Sequence, residues 1–179
     1  MLLSNFRGMG DEAIMIITSG EELMRTNTQI VKTVMDDRNL CLYVAVNQPY
    51  ARLKKTLESG KINTDRVFFI DCITETSGGK AERASNCLYI NSPSRLTELG
   101  ISIMQALQAM PGKKFLFLDA LSTLIIYNSS KSIAKFSHFL ITRVKLLGLA
   151  GIFIVVEKEI DEMLLSQIKQ FCDKVVRMN

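Results

Sequence analysis

The feature that most constrains this chain is the alternation of short, continuous apolar runs with longer amphipathic segments. Residues 13–18 and 150–156 carry no charged side chain and are rich in isoleucine, valine and other apolar residues. Runs of this kind are typical of strands that are buried on both faces of a sheet. Strands that alternate with helices are joined by right-handed crossovers. The pattern therefore predicts the α/β class, with a mostly parallel sheet and helices on both faces in three α/β/α layers.

Apolar periodicity and helix-breaking residues divide the chain into predicted elements. One helix is expected to begin at Pro49 and to stop at Gly60, and another is expected to begin at Pro93. The predicted strands are residues 13–18, 40–46, 67–71, 87–90, 114–119, 150–156 and 173–178. The predicted helices are residues 21–37, 49–60, 93–110, 130–147 and 160–171, and residues 74–86 are predicted to form an exposed loop.

Length and composition indicate one domain. We see no internal repeat or domain boundary in the 179 residues, so residues 1–179 are predicted to fold as a unit, with residues 1–12 as a lead-in segment. Phe6 and Met9 are expected to pin that segment to the body. The net charge of +4 is mild and does not by itself indicate nucleic acid. Without a signal-peptide pattern or an apolar run of roughly 18 residues, we expect a soluble, cytoplasmic protein with no membrane span.

The cysteines do not suggest a metal site. Cys41, Cys72, Cys87 and Cys172 form no C-x-x-C pair, and His138 is the only histidine. A zinc site would need nearly all of these residues to converge. Most of the cysteines lie in apolar, strand-like runs, so we expect buried free thiols in a reducing compartment, and no bound metal.

The segment "IMIITSGEELMRTNT", residues 14–28, resembles a strand, a tight turn and the start of a helix. Nucleotide phosphates bind at such a junction when the sequence is G-x-x-x-x-G-K-[ST], because its backbone N–H groups and its lysine contact the phosphates. Counted from Gly20, the second glycine falls on Arg25, the lysine on Thr26 and the hydroxyl residue on Asn27. A shift by one residue restores Thr28 but supplies no lysine.

Two acidic residues follow the turn and weaken the case for phosphate further. Ser19 and Glu22 have the spacing of a capping box, in which the two side chains satisfy the end of the helix themselves. Glu21 and Glu22 would each interact favourably with the helix dipole, by about 0.3–1 kcal/mol, and would repel a triphosphate. The segment is therefore predicted to be a capped helix start in the position of a phosphate loop.

Three other segments occur in the order and spacing of a known family. "KFLFLDALSTL" places Asp119 at the end of a buried strand, and a Ser/Leu-rich stretch follows it. "LYVAVNQPYARLKKTLESGKI" leads from a strand through a polar pair into a helix, and "CDKVVRM" ends the chain on a short strand. Together with the strand-turn-helix segment, these features resemble the ATPase core of the RecA superfamily. Within it they resemble the KaiC-like branch that is common in archaea, over nearly the whole chain.

The resemblance implies a RecA-like P-loop NTPase architecture with Asp119 at the position that orients magnesium. Where the family carries the glutamate that activates water, this chain has Asn47 and Gln48, and neither amide acts as a base near neutral pH. Because the lysine is also absent, the resemblance implies a degenerate domain with no catalytic residues. The remnant positions of the nucleotide site are Gly20, Arg25, Thr26, Asn27 and Asp119.

We therefore expect a pseudo-ATPase that has no cofactor and acts as a binding or regulatory protein, through homo-oligomerisation or by docking on a protein partner. The alternative is a regulator that holds ATP and magnesium in a rebuilt pocket without fast hydrolysis. A third interpretation is an enzyme of unrelated chemistry on a similar sheet.

One helix carries a candidate contact surface. Helical spacing places Lys131, Lys135, His138 and Lys145 on one face of the predicted helix 130–147. The simpler interpretation is a solvated face above a buried one. The alternative is a basic stripe that contacts an acidic protein, nucleic acid or an anionic membrane surface. Positive charges without interleaved aromatic residues give little support to nucleic acid.

Overall fold

The computed structural model of the protein describes residues 6, 8–35 and 39–178. Its strands are β1 (Ala13–Thr18), β2 (Asn39–Ala45), β3 (Val67–Asp71), β4 (Cys87–Tyr89), β5 (Lys113–Asp119), β6 (Ala150–Val156) and β7 (Lys174–Met178). Its helices are α1 (Leu23–Val34), α2 (Tyr50–Ser59), α3 (Leu96–Ala109), α4 (Ser130–Leu146) and α5 (Glu162–Lys169). Short 3-10 turns at Ser122–Ile126 and Glu157–Glu159 follow β5 and β6.

The strands form one parallel sheet in the order β4-β3-β2-β5-β6-β1-β7. In this order β5 and β6 lie between β1 and β2, although they follow both in the sequence. All strands point the same way, so their carboxyl ends meet along one edge of the sheet. Ala45 is paired with Asp119, and Thr18 is paired with Val156. This edge brings together the ends of the four central strands.

Helices cover both faces of the sheet. On one face, α1 and α2 bury apolar residues such as Ile30 and Leu53. On the other face, α3, α4 and α5 bury Ile103, Leu140 and Ile168. Strands buried on both sides explain the continuous apolar runs, because neither face of the central strands meets water. The predicted α/β class, with a parallel sheet between two helical layers, is confirmed.

Three helix starts differ from the prediction. α1 begins at Leu23 because residues 20–22 form a turn. α3 begins at Leu96, because Pro93 lies in a turn in which the Ser94 N–H donates to Ser92 Oγ at 3.2 Å. α5 begins at Glu162 behind a 3-10 turn, since Asp161 accepts the Leu164 N–H and caps it there. Residues 36–37 of the predicted first helix lie outside the described residues.

Two smaller expectations concern buried residues. Phe6 and Met9 are buried with the apolar residues of α1 and α2, whereas residues 1–5 and 7 of the predicted lead-in segment lie outside the described residues. All four cysteines are free thiols, but only Cys41 and Cys72 are buried, whereas Cys87 and Cys172 are half-buried. Burial raises the pKa of Cys87 and of Cys172 to about 12, so both thiols stay protonated near neutral pH. Within residues 6, 8–35 and 39–178, none of the helices has the length and apolar character to cross a membrane.

Candidate functional site

The predicted site residues lie at the carboxyl edge of the sheet. Asp119 ends β5, and Asn47 follows the neighbouring β2 by two residues. Thr26 and Asn27 belong to the first turns of α1, the helix that leaves β1 at the same edge. The parallel topology therefore assembles here the residues that the sequence spreads over about a hundred positions, as the carboxyl ends of parallel strands do in open α/β sheets.

Asp119 is sealed inside this edge. Its side chain is almost fully buried, with 1% of the residue exposed. Tyr43 on β2 donates its hydroxyl to Asp119 Oδ2 at 2.7 Å, and Asn47 Nδ2 donates to Oδ1 at 2.9 Å. Both carboxylate oxygens are thus bonded to protein groups. The arrangement joins β2 to β5 and leaves little of the carboxylate accessible to a ligand from solvent.

The electrostatics of this pair follow from its burial. Burial raises the pKa of Asp119 above its ordinary value, while the hydrogen bonds from Tyr43, Asn47 and Asn27 act in the opposite direction. Burial also raises the pKa of Tyr43 well above its ordinary value, and the charge of Asp119 adds to this shift. The raised pKa keeps Tyr43 protonated near neutral pH, where its hydroxyl is a hydrogen-bond donor to Asp119.

Asn47 is held in place by a second layer of polar contacts. Its Oδ1 accepts from the Thr123 hydroxyl at 2.7 Å, which fixes the amide with its nitrogen towards Asp119. Thr123 and Ser122 lie 3.2 and 3.0 Å from Glu159 Oε2. Ser122 Oγ also accepts the Val156 N–H at 3.0 Å, which ties the turn after β5 to the end of β6. Asn47 is therefore a connector in a hydrogen-bond network.

The turn after β1 differs from the predicted capping box. Ser19 Oγ does accept the Glu22 N–H, at 3.3 Å, but Glu22 itself occupies the position before the helix and makes no side-chain cap bond. The Glu22 carboxylate pairs with the Arg25 guanidinium instead. The prediction that the Glu22 side chain satisfies the helix end is wrong, because Arg25, one turn along the helix, pairs with this carboxylate. Arg25 is 62% exposed, so this cation is engaged at the surface.

The positions that align with the lysine and hydroxyl residue of a phosphate loop point into the protein. Thr26 Oγ1 lies 3.2 Å from Thr18 Oγ1, and both residues are buried. Asn27 is fully buried, and its Nδ2 donates to the Tyr43 hydroxyl at 3.4 Å. Its Oδ1 has no hydrogen-bond partner among the described residues. Of the five remnant positions, the fold brings Thr26, Asn27 and Asp119 into one buried region and leaves Gly20 and Arg25 at the surface.

Tyr43, Thr123 and Glu159 belong to the site but were not predicted from the sequence. Tyr43 stands within a continuous apolar run, and in such a run nothing distinguishes the face that a side chain occupies. Thr123 lies in the Ser/Leu-rich stretch after Asp119, which was the only available signal. Glu159 gave no signal, because its contacts depend on how the turn after β6 folds back onto the turn after β5.

The Tyr43 hydroxyl can be removed with little change in volume. We expect Tyr43→Phe to lower the free energy of unfolding by about 1.5–3 kcal/mol, because it deprives a buried carboxylate of a donor. Tyr50→Phe is the matched control, since the Tyr50 hydroxyl donates to the Asn86 side-chain oxygen, which is uncharged, at 3.0 Å. We expect it to cost about 1 kcal/mol. Urea unfolding measures both, and a Tyr43→Phe cost no larger than the control would contradict this role.

Sequence comparison places the chain in a family. A family model described as a family of unknown function (DUF7504) matches residues 25–178. The chain belongs to this family. No curated protein matches the sequence of this DUF7504 member.

Solved structures from the archaeon Pyrococcus horikoshii share the fold of this DUF7504 domain. The protein PH0250 of strain OT3 is 14% identical, with a TM-score of 0.66 over 100% of this chain and 88% of its own. PH0321, crystallised with an unknown peptide, is 10% identical, with a TM-score of 0.68 over 96% of this chain and 78% of its own. The KaiC-like protein PH0186 of strain OT3 is 11% identical, with a TM-score of 0.65 over 94% and 71%. At such identities the likeness concerns the fold alone, and that fold is RecA/KaiC-like.

The predicted basic face of α4 is only partly free in this DUF7504 domain. Lys145 donates to Asp173 Oδ1 at 2.8 Å and to the Phe171 carbonyl at 2.9 Å. The His138 ring packs on the Phe171 ring at 4.7 Å between centroids. The segment before β7 therefore contacts one end of this face, at His138 and Lys145. Lys131 and Lys135 remain exposed.

Four clefts on the described surface of the DUF7504 domain lie away from Asp119. Four clefts have volumes of about 1040, 730, 540 and 190 Å³, and none of them has Gly20, Asn27 or Asp119 in its lining. The 1040 Å³ cleft lies between α3 and α4, on the face of the sheet opposite to α1. The edge of the sheet that the sequence marks for nucleotides and the 1040 Å³ cleft are therefore different places.

Proposed function

We propose that this DUF7504 protein is a non-catalytic relative of RecA/KaiC-type ATPases that acts by binding a protein partner. The observation that carries the proposal is the state of Asp119. A magnesium-orienting carboxylate must present an oxygen to the ion or to its water, and here both oxygens accept hydrogen bonds from Tyr43 and Asn47 in a buried setting. In this proposal Asp119 is a structural link between β2 and β5.

The charges near the β1–α1 turn also support the absence of phosphate chemistry. The Arg25 side chain is engaged by Glu22, and Glu21 lies beside it in the same turn. A polyphosphate placed here would meet these carboxylates and no unpaired cation from the remnant positions. The atoms left without partners nearby, Asn27 Oδ1 and Gln48 Oε1, are acceptors, which cannot bond a phosphate oxygen.

The proposed binding role takes support from the neighbours. A protein of the same fold, PH0321, was crystallised with an unknown peptide. In this chain Asp119 is buried at the edge that the resemblance marks for nucleotides, whereas the cleft between α3 and α4 is open to solvent. A domain with these two properties would work through its surfaces, either against another protein or against a second copy of itself.

Titration calorimetry with ATP and magnesium tests the proposal. We expect no saturable heat up to about 1 mM ligand, which corresponds to a binding free energy weaker than about −4 kcal/mol. Inorganic triphosphate, titrated in parallel, separates phosphate contacts from contacts to the base. Saturable binding below about 1 mM would overturn the proposal in favour of the alternative, a regulator that holds ATP without fast hydrolysis. Sedimentation over a concentration series distinguishes self-association from dependence on another partner.

A further inference from the structure

The cleft between α3 and α4 has a floor of backbone and aromatic rings. At Gly100 on α3, an added Cβ would lie 3.2 Å from Phe139 Cε1 and 3.7 Å from Phe136 Cε2. The absence of a side chain at Gly100 therefore lets the backbone of α3 approach the two rings of α4 closely. Phe136 is buried, but Phe139 remains 44% exposed. The two helices form a groove whose wall carries an accessible aromatic ring.

The groove also exposes an aliphatic side chain. Ile101 on α3 is 53% exposed and lines the same cleft as Phe139. Leu96 adds a half-buried apolar surface at the start of α3. Exposed apolar side chains that occur singly need no explanation, whereas a contiguous exposed apolar patch favours an interaction site. A groove between two helices has the form that accepts the apolar face of a further helix.

The charge of the groove is positive. Arg95 and Glu98 both line it, but they pair with each other at 2.7 Å and leave no net charge. Lys135 lines it as well, and Lys131 lies one helical turn before Lys135. Neither lysine forms an ion pair with any of the described residues. A partner that covers Phe139 would therefore bind more tightly if it carried carboxylates one helical turn away, where they could pair with Lys135.

We propose that this groove binds an amphipathic, acidic helix of a partner protein. The proposal rests on the proposed function, because it names the surface and the chemistry of the partner. Charge complementarity favours such a helix over a second copy of this chain, since a two-fold contact would bring the same lysines towards each other. Two unpaired lysines are too few for the many phosphate contacts that bind nucleic acid.

A labelled helical peptide is the probe. It has about 18 residues, long enough for five helical turns, with leucines at i, i+3, i+4 and i+7 and glutamates beside them. A scrambled peptide of the same composition is the control. By fluorescence anisotropy we expect saturable binding of the first peptide, with a Kd below about 100 μM, and at least tenfold weaker binding of the second. Equal binding of both peptides, or no binding at about 1 mM, would overturn the proposal.

Matched variants locate the binding. Phe139→Glu should weaken binding at least tenfold, whereas Leu146→Glu should not, because Leu146 is 73% exposed on the same helix but does not line the cleft. Ile101→Glu repeats the test on α3 if thermal unfolding shows that the first variant is misfolded. Equal effects at Phe139 and Leu146 would place the peptide elsewhere. A concentration-dependent dimer that Phe139→Glu dissociates would show that a second copy covers the groove.

A charge reversal tests the acidic character of the partner. Lys135→Glu should weaken binding of the glutamate peptide severalfold and favour a version with lysines in place of the glutamates. Lys55→Glu on α2, beneath the opposite face of the sheet, should do neither. Preference for the glutamate peptide that survives Lys135→Glu would contradict the assignment. Calorimetry with ATP on the same protein distinguishes the two proposals. If neither the peptide nor ATP binds, only the proposal for the groove is contradicted. If ATP binds, only the proposal of a pseudo-ATPase is contradicted.

Discussion

Asp119→Ala is expected to lower the free energy of unfolding by about 2–4 kcal/mol, although Asp119 stands at the magnesium-orienting position in the family that the sequence resembles. The reason is that the buried Tyr43 hydroxyl and the Nδ2 of the half-buried Asn47 both lose their acceptor. Each buried donor left without a partner costs about 1–3 kcal/mol. In an active enzyme, an exposed metal-orienting aspartate would instead affect turnover more than stability.

Asp119→Asn is the matched control for this variant. It keeps the shape and one acceptor oxygen, so it should cost less than Asp119→Ala. Urea unfolding of both variants, with an unchanged dependence on urea, gives the comparison. If Asp119→Ala unfolds with the same free energy as the natural protein, the carboxylate is not a structural link and its hydrogen bonds contribute nothing.

The stability of the natural protein should also depend on pH through Asp119. Burial raises the pKa of this carboxyl in the folded protein above its value in the unfolded chain. Its contribution is therefore fully present below the unfolded pKa and is lost as pH rises through the folded pKa. The natural protein should thus lose stability relative to Asp119→Asn as pH increases from the unfolded pKa of this carboxyl to its folded pKa. A difference that is constant with pH would contradict the burial effect.

Asn47→Asp is expected to have the second large effect. The substitution keeps the shape of the side chain but places an oxygen where Nδ2 now donates to Asp119 Oδ1, at 2.9 Å. Above neutral pH it removes a hydrogen bond and brings two carboxylates together, so we expect a loss of about 3 kcal/mol in the free energy of unfolding. Two carboxyls this close cannot both ionise easily, so one of them gains a raised pKa.

The pH dependence separates charge from the lost donor. As pH falls, the carboxyl pair of Asn47→Asp binds one proton and regains an O–H···O hydrogen bond, so stability should recover. Asn47→Ala loses the same donor but adds no charge, and its deficit relative to the natural protein should change little with pH. Urea unfolding at pH 5 and pH 8 measures both variants. Equal pH profiles would show that Asn47 does not contact the carboxylate as described.

The fold could be predicted because the signal was local. Continuous apolar runs separated by amphipathic helices dictate a parallel sheet with two covering layers, whatever the details of each turn. Helix boundaries were less predictable, because side chains decided them: Ser92 holds Pro93 in a turn, and Arg25 draws Glu22 away from the helix end. Neither of these side-chain contacts can be deduced from the pattern of apolar and polar residues.

The site could be predicted only in part, because its contacts join distant strands. The resemblance placed Asp119 and Asn47 at the correct edge of the sheet. It did not reveal that Tyr43, 76 residues away from Asp119 in the chain, donates to it. A continuous apolar strand shows no alternation of apolar and polar residues, so the face of the sheet on which Tyr43 lies could not be deduced. The same limit applies to Lys145, which was expected at a free surface and is instead paired with Asp173.

We propose that the β1–α1 turn and Asp119 form a structural junction that does not bind a polyphosphate. Nuclear magnetic resonance tests this proposal by following the backbone amides of Gly20, Thr26 and Asn27 during titration with ATP and magnesium. We expect these amide signals to stay in place at ligand concentrations above about 1 mM. Saturable shifts centred on these three amides would place phosphate at the helix start and contradict the proposal.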